Sequence, residues 1–229
     1  MNSKRRFAIL SAHTLFSSFQ SGAQHSWANR NFFDFFDFLF PEHHREFPAV
    51  LRFSGLLFIA AHELGHGFDR EMNEIGAKDP TYSQIHDCLY ELYANQCNPK
   101  DANSCTDPKN TINENFADYF AVRMVYLAYK RKSKKEGKSR PGGAILARYS
   151  NDQLFFIHMA QTMGSFGIWE WYSQSNMHSV GPVRVWAALS ALPAFTNAFN
   201  CAAGSTYRVE DGCHLYNGKI QPNYNLTEN

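Results

Sequence analysis

The stretch "FSGLLFIAAHELGHGFDR", residues 53–70, decides the fold class of this 229-residue chain. It is apolar over too long a run for a surface strand, which predicts a largely buried helix. That helix carries His62 and His66, with Glu63 between them. Because residues four apart on a helix emerge from the same side, both imidazoles can bind one metal ion. The H-E-x-x-H spacing predicts a zinc site with Glu63 beside it as a general base.

A second helix, predicted over residues 112–131, carries Glu114 and Asp118 among side chains set to pack. Their spacing places both carboxylates on one face, one turn apart, where like charges repel by roughly a few tenths of a kcal/mol. Buried carboxylates without a partner are expensive. A metal ion bound by His62, His66 and Glu114 removes that cost, and this ligand set leaves the fourth zinc position open.

Two further carboxylates are candidates for orienting the histidines. Asp118 can accept the free ring N–H of His62 or of His66, which would fix the tautomer of that ring, and Asp69 lies three positions after His66. A zinc ion lowers the pKa of water towards about 7, and Glu63 can then pass a proton from water to a leaving amine. The alternative is a histidine pair within a polar core, without a metal.

The rest of the chain also predicts helices. A capping box at Ser150 and Gln153 opens a helix predicted over residues 151–172. Two prolines open two further short helices, predicted over residues 182–190 and 193–200. Little of the sequence alternates as strands do, so the predicted fold class is mainly α.

Charge excludes several classes of partner. The chain has 22 Lys and Arg against 21 Asp and Glu, a formal net charge of +1 that gives no general attraction to nucleic acid or anionic membranes. The basic stretch "KRKSKKEGKSR", residues 130–140, has no interleaved aromatic residues and precedes Pro-Gly-Gly. We predict that it is a solvated loop closing the preceding helix. No apolar run is long enough for a membrane span.

The N-terminal region has two unusual segments. Residues 1–23 have a basic start, an apolar middle and small residues at the end, the pattern of a signal peptide. Residues 31–40, "NFFDFFDFLF", hold six phenylalanines. This segment either packs on the core or forms an exposed surface for a partner or a missing domain.

The five cysteines are spread over polar segments without a CxxC pair. An odd number in this pattern predicts two disulfides and one leftover thiol, which indicates an oxidising compartment. A glycosylation sequon at residues 225–227 agrees with secretion. The alternative is an intracellular interaction domain with free thiols.

Several short motifs stand in order along the chain: "FPA" at 47–49, "HELGHGFD" at 62–69, "ENFAD" at 114–118, "QLFF" at 153–156, "HSVGPVRV" at 178–185, "AFNCAAGSTY" at 198–207 and "CHLY" at 213–216. Together they resemble the neprilysin and endothelin-converting-enzyme family of zinc metallopeptidases. The resemblance implies a thermolysin-like gluzincin catalytic domain over residues 47–216. An aromatic-rich segment, 24–46, would precede this domain, and a polar tail, 217–229, would follow it.

The resemblance also implies roles for individual residues. Three residues would bind one Zn²⁺ per chain, namely His62, His66 and Glu114. Glu63 would be the catalytic base and Asp118 the orienting carboxylate. His178 matches the histidine that stabilises the transition-state oxyanion, and Arg184 matches the arginine that holds a substrate backbone carbonyl.

The cysteines can be placed by the same resemblance. Cys88 and Cys213 match the family's disulfide within the catalytic domain. Cys201 matches a cysteine that pairs with the family's N-terminal segment and is therefore the expected leftover thiol. Cys97 and Cys105, in one polar loop, can close a local bridge.

Two family features have no counterpart that we recognise in residues 1–46: a large helical domain over the active site and an Asn-Ala-aromatic strand that pairs with substrate. We therefore hold two hypotheses, a zinc metalloendopeptidase acting on peptides and a truncated, non-enzymatic zinc-binding or decoy module. We expect a partner domain covering the active site. We also expect either secretion or an origin as the ectodomain fragment of a membrane-anchored protein.

Overall fold

The computed structural model describes residues 43–69, 80–94, 96–136, 145–164, 177–210 and 212–214, together with the backbone of two short strands at 24–26 and 30–32. The predicted signal peptide, the sequon, the C-terminal tail and most of the phenylalanine-rich segment lie outside the described residues.

Helices dominate the described part of the chain, as the sequence predicted. The helices are α1 (Ala49–Ser54), α2 (Leu56–His66), α3 (Pro80–Tyr93), α4 (Ile112–Glu136), α5 (Asn151–Met163), α6 (Gly181–Ser190) and α7 (Pro193–Ala198), with 3₁₀ turns at Pro108–Asn110 and Leu146–Arg148. The strands are β1 (Gln24–Ser26), β2 (Arg30–Phe32), β3 (Cys97–Asn98) and β4 (Asp101–Cys105). They form two antiparallel pairs, β1 with β2 and β3 with β4. None of the described helices is long and apolar enough to cross a membrane.

Helix α4 is the centre of the fold because α1, α2, α3 and α6 all pack against it. On one side, its Val122 joins a core cluster with Phe155 and Met159 of α5. On the other side, Tyr119 joins a second cluster with Leu89 of α3. The polar face of α4 described below is therefore enclosed by packed helices.

The structure corrects two boundaries. The apolar run 53–70 is interrupted at Gly55, whose ψ of −109° departs from helical values, so two helices replace the one predicted. This stretch is also less buried than predicted, since the side chains of Leu57 and Leu64 are 40% and 55% exposed. The basic stretch is helical as far as Glu136, because lysines in the last turn of a helix interact favourably with its dipole.

The helices predicted after α4 agree with the structure where they are described, whereas α3 and the β3–β4 pair were not predicted. Ser150 and Gln153 form the capping box of α5, with Ser150 Oγ accepting from Gln153 N at 3.1 Å. Helix α5 ends at Met163, and residues 165–172 of the longer predicted helix lie outside the described part. Helices α6 and α7 begin within one residue of the predicted positions.

Both disulfides match the prediction. Cys88 of α3 is bonded to Cys213, and Cys97 is bonded to Cys105 across the β3–β4 pair, which leaves Cys201 as the free thiol. The segment around Cys213 is also tied to α4, because the Tyr119 hydroxyl donates to the Cys213 carbonyl at 2.8 Å. This hydrogen bond attaches the segment around Cys213 to Tyr119, the residue that follows Asp118 in the sequence.

Candidate metal centre

A close approach of α2 and α4 creates the site. Gly65 faces Ala117, and a Cβ at position 65 would lie 3.0 Å from the Ala117 Cα. The absence of a side chain at Gly65 therefore lets the two helix backbones pack closely. His62 and His66, one turn apart on α2, are thereby brought against Glu114 and the rest of the polar face of α4.

Three potential ligand atoms meet at one point. Glu114 Oε2 lies 3.0 Å from His62 Nε2 and 3.4 Å from His66 Nε2. The two Nε2 atoms are 3.2 Å apart. His62, His66 and Glu114 are also the group of metal-ligating side chains that converge within the described residues.

The other nitrogen of each ring is held by a carboxylate. His62 Nδ1 lies 2.9 Å from Asp118 Oδ1, and His66 Nδ1 lies 2.9 Å from Asp69 Oδ2. Because an ionised carboxylate can only accept, each Nδ1 is the donor. The sequence left open which histidine Asp118 contacts, and the structure places it on His62.

This arrangement fits a metal ion. With Nδ1 protonated, a neutral ring presents only a lone pair at Nε2, so His62 and His66 point two lone pairs at each other and at the Glu114 carboxylate. Such a group needs a cation among its members. Tetrahedral zinc with bonds of about 2.0–2.1 Å has ligand-to-ligand separations of about 3.3 Å. The separations of 3.0, 3.2 and 3.4 Å bracket that value.

Without a metal, protons take the place of the cation. Burial opposes protonation of His62, but its hydrogen bonds with Asp118 and Glu114 outweigh burial and raise the pKa of the ring to about 9. Burial also opposes protonation of His66, and the corresponding bonds with Asp69 and Glu114 raise its pKa to about 10. Burial would raise the pKa of Glu114, but hydrogen bonds from three histidines hold it far below its usual range.

Arg184 of α6 contacts the same network from behind. Its Nε donates to Asp118 Oδ2 at 2.7 Å and its Nη2 donates to Asp118 Oδ1 at 2.8 Å. Burial would raise the pKa of Asp118, but the charge and hydrogen bonds of Arg184 hold it below its usual range. Two of the five guanidinium N–H groups are used in this way.

His178 and Glu63 lie at the same centre. His178 Nε2 is 2.9 Å from Glu114 Oε2, and its side chain is 36% exposed. Glu63 is buried next to His62, and its charge contributes to the raised pKa of His66. The structure thus gathers His178 and Arg184 onto the α4 face that carries Glu114 and Asp118.

Three polar residues beside this centre were not predicted from the sequence, namely Thr111, Asn115 and Ser179. Thr111 immediately precedes α4, and Asn115 lies within it, so that together with Glu114 and Asp118 they have the spacing i, i+3, i+4 and i+7. This polar spacing was a visible signal. Its partner segment before α6 was not predictable from local pattern.

An H-E-x-x-H helix joined to a glutamate on a later helix is the arrangement of a class of helical metallopeptidases. The model of peptidase family M13 matches residues 38–215. The chain belongs to peptidase family M13, whose members are zinc metallopeptidases.

Relatives and solved structures agree with this assignment. Membrane metallo-endopeptidase-like 1 of Homo sapiens is 30% identical over 75% of this chain and 24% of its own length, and neprilysin-2 of Caenorhabditis elegans is 29% identical over 75% and 25%. The chain thus spans about a quarter of the length of the curated relatives that it matches. A Mycobacterium tuberculosis zinc metalloprotease solved with an inhibitor has the same fold, with a TM-score of 0.72, 19% identity and coverage of 86% of this chain and 32% of that one.

Proposed function

We propose that this chain is a zinc-dependent metalloendopeptidase unit that hydrolyses peptide bonds in peptides. The observation that carries the proposal is the meeting of His62 Nε2, His66 Nε2 and Glu114 Oε2 within 3.4 Å of one another. These residues would hold one Zn²⁺. A zinc ion there supplies Lewis-acid chemistry, polarising the scissile carbonyl and lowering the pKa of water towards about 7.

Glu63 is the proposed general base. It follows His62 in the same helix and is buried, so its carboxylate is held beside the metal ligands. It takes a proton from the attacking water and gives it to the leaving amine. No covalent enzyme intermediate is required.

His178 and Arg184 are the proposed substrate-contacting groups. His178 is partly exposed at the edge of the centre, where its ring can donate to the developing oxyanion. Arg184 uses two N–H groups on Asp118, which leaves donors for a backbone carbonyl of the substrate. Asp118 and Asp69 would keep the two histidines in the metal-binding tautomer.

The test uses Glu63→Gln in the purified, zinc-loaded chain. Zinc content should be retained, and turnover of a peptide library should fall by roughly 10²- to 10⁴-fold, as expected for loss of a general base. Glu210→Gln is the matched control, because Glu210 is an exposed carboxylate paired with Arg208. Cleavage that survives Glu63→Gln would show that the assignment of the base is wrong.

A second candidate function is a non-enzymatic module that binds zinc for stability and acts as a binding or decoy protein. It is favoured by the side-chain hydrogen bonds that the centre makes between α2, α4 and α6, because such bonds hold the fold together. It predicts one zinc per chain, equal thermal stabilisation by zinc in wild type and Glu63→Gln, and no hydrolysis of any library peptide. Chelator-sensitive cleavage would eliminate it.

We also propose a secreted or ectodomain location. The two disulfides support an oxidising compartment. Isolation of the protein from culture medium with Cys88 still joined to Cys213 would agree with this proposal, and exclusively cytosolic protein with reduced thiols would contradict it. The covering partner domain stays a prediction.

A further inference from the structure

Three buried polar side chains beside the metal centre form a closed hydrogen-bonded ring. Ser179 Oγ lies 2.9 Å from Asn115 Oδ1 and 3.0 Å from Thr111 Oγ1, and Asn115 Nδ2 donates to Thr111 Oγ1 at 3.1 Å. Asn115 is fully buried, and Ser179 and Thr111 are 5% and 7% exposed. Buried polar groups in this setting are costly unless every partner is present.

The donors and acceptors of the ring balance. The amide oxygen of Asn115 can only accept, so the single Ser179 hydroxyl proton is donated to it. The proton between the two hydroxyls therefore comes from Thr111. In this arrangement each of the three side chains donates once and accepts once within the ring, and Thr111 Oγ1 also lies 3.5 Å from the Pro108 carbonyl oxygen.

Two members of the ring are sequence neighbours of residues in the proposed active site. Asn115 follows Glu114 on α4, and Ser179 follows His178. His178 Nε2 lies 2.9 Å from Glu114 Oε2, and Ser179 Oγ lies 2.9 Å from Asn115 Oδ1, so two consecutive residues contact two consecutive residues of α4. Consecutive Cα atoms are only 3.8 Å apart. Fixing one pair of neighbours therefore limits how far the other pair can separate.

The other anchor of the segment lies one turn further along α4. Arg184 binds Asp118, whereas Ser179 binds Asn115 and Thr111. Between these anchors only Val180 to Val183 intervene, and Val183 N and Arg184 N both bond to the Val180 carbonyl. His178 precedes this anchored section, which runs from Ser179 to Arg184, and its ring is partly exposed. Ser179 is therefore the anchored residue nearest to His178.

We propose that Thr111, Asn115 and Ser179 are positioning residues that hold the His178 imidazole against the metal centre. This inference rests on the proposed function for its activity readout, but the placement of the His178 ring can be measured without turnover. None of the three side chains is proposed to touch zinc or substrate.

The experiment compares Thr111→Val and Ser179→Ala with two matched controls in the zinc-loaded full chain. Thr111→Ser keeps the hydroxyl that Thr111→Val removes. Ser190→Ala removes another buried serine hydroxyl, one for which the described part of the chain offers no hydrogen-bond partner. Zinc content, kcat and KM on a library peptide, and the ring ¹⁵N signals of His178 in ¹⁵N-histidine-labelled protein are measured, with His178→Gln used for assignment.

Thr111→Val and Ser179→Ala should retain one zinc, shift the His178 ring signals and lower kcat by about 10- to 100-fold with little change in KM, as expected for a misplaced catalytic group. Thr111→Ser and Ser190→Ala should behave as wild type. Unchanged kcat and ring signals in folded, zinc-loaded variants would overturn the proposal. So would loss of zinc together with kcat, or failure of both variants to fold, because either would show a role in the fold as a whole.

If the wild-type chain cleaves no peptide, the proposed function fails but the positioning role is still decided by the ring signals. A shift in Thr111→Val and none in Thr111→Ser would support positioning. Identical signals in all variants would overturn it.

Discussion

Arg184 and Asp118 form a two-pronged ion pair in which both carboxylate oxygens are bound, at 2.7 and 2.8 Å, and Asp118 has no exposed side-chain surface. Asp118 also binds His62, so the Arg184 cation on α6 interacts through Asp118 with a histidine of α2 that we propose as a zinc ligand. The pair therefore links three helices through one carboxylate.

Breaking this pair from one side should be strongly destabilising. Arg184→Met leaves the Asp118 charge buried without its main partner, and we expect the free energy of unfolding to fall by about 3–5 kcal/mol. The double variant Arg184→Met with Asp118→Asn should recover part of that loss. Urea denaturation of the four members of the cycle measures the coupling, and additive effects would show that the two residues act independently.

The two carboxylates on the Nδ1 atoms should control zinc affinity. Asp118→Asn and Asp69→Asn each replace an obligate acceptor with a group that can also donate, so the tautomer of the contacted histidine is no longer fixed. We expect zinc binding to weaken by about 10- to 100-fold in each variant, measured by competition with a chelator. Asp152→Asn is the control, since Asp152 binds Lys130 in a different part of the fold. Unaltered affinity in both site variants would contradict the orienting role.

Replacement of Gly65 by alanine should weaken the contact between α2 and α4. An added Cβ would meet the Ala117 backbone at 3.0 Å, and a backbone atom in a packed helix cannot move aside by itself. Overpacking costs about 1–3 kcal/mol, whereas alanine gains about 1 kcal/mol of helix propensity over glycine. Gly65→Ala should therefore be mildly destabilised and should bind zinc more weakly. Leu64→Ala, at an exposed neighbouring position, should retain wild-type zinc affinity in the same titration.

The metal-free chain should lose stability as the pH rises above neutrality. The folded pKa values of about 9 for His62 and 10 for His66 exceed the ordinary value of 6.5. The contribution of these two histidines to the free energy of unfolding is therefore fully present below pH 6.5 and is lost as the pH rises through 9 to 10. Apparent zinc affinity should increase over the same window, because binding displaces these protons. Urea midpoints in a chelator at pH 6.5, 8 and 9.5 that do not decline would contradict the raised pKa values.

The two disulfides should differ in their contribution to stability. Cys88–Cys213 spans a sequence separation of 125 residues, and Cys97–Cys105 spans 8. The loop-entropy relation gives about 5 kcal/mol for the first and about 2.5 kcal/mol for the second. Paired serine variants compared by thermal unfolding should show the larger loss for Cys88 and Cys213. Equal losses would show that loop entropy does not govern these bonds.

The sequence alone determined the features that depend on local spacing. The i, i+4 pairs His62 with His66 and Glu114 with Asp118 each lie on one helix, so helical geometry fixes their common face without any knowledge of the fold. The capping box of α5 is equally local. The Cys88–Cys213 pair came from resemblance to the family, since spacing left the connectivity open, whereas the Cys97–Cys105 bridge was predicted from their common polar loop.

Only the tertiary structure decided which groups meet across helices. Asp118 contacts His62 over 56 residues and Arg184 over 66 residues of sequence, and both contacts depend on how α2, α4 and α6 cross. That crossing is set by the fit of Gly65 to Ala117 and by the core clusters on either side of α4. Packing of this kind is a property of several elements at once, so no local pattern encodes it.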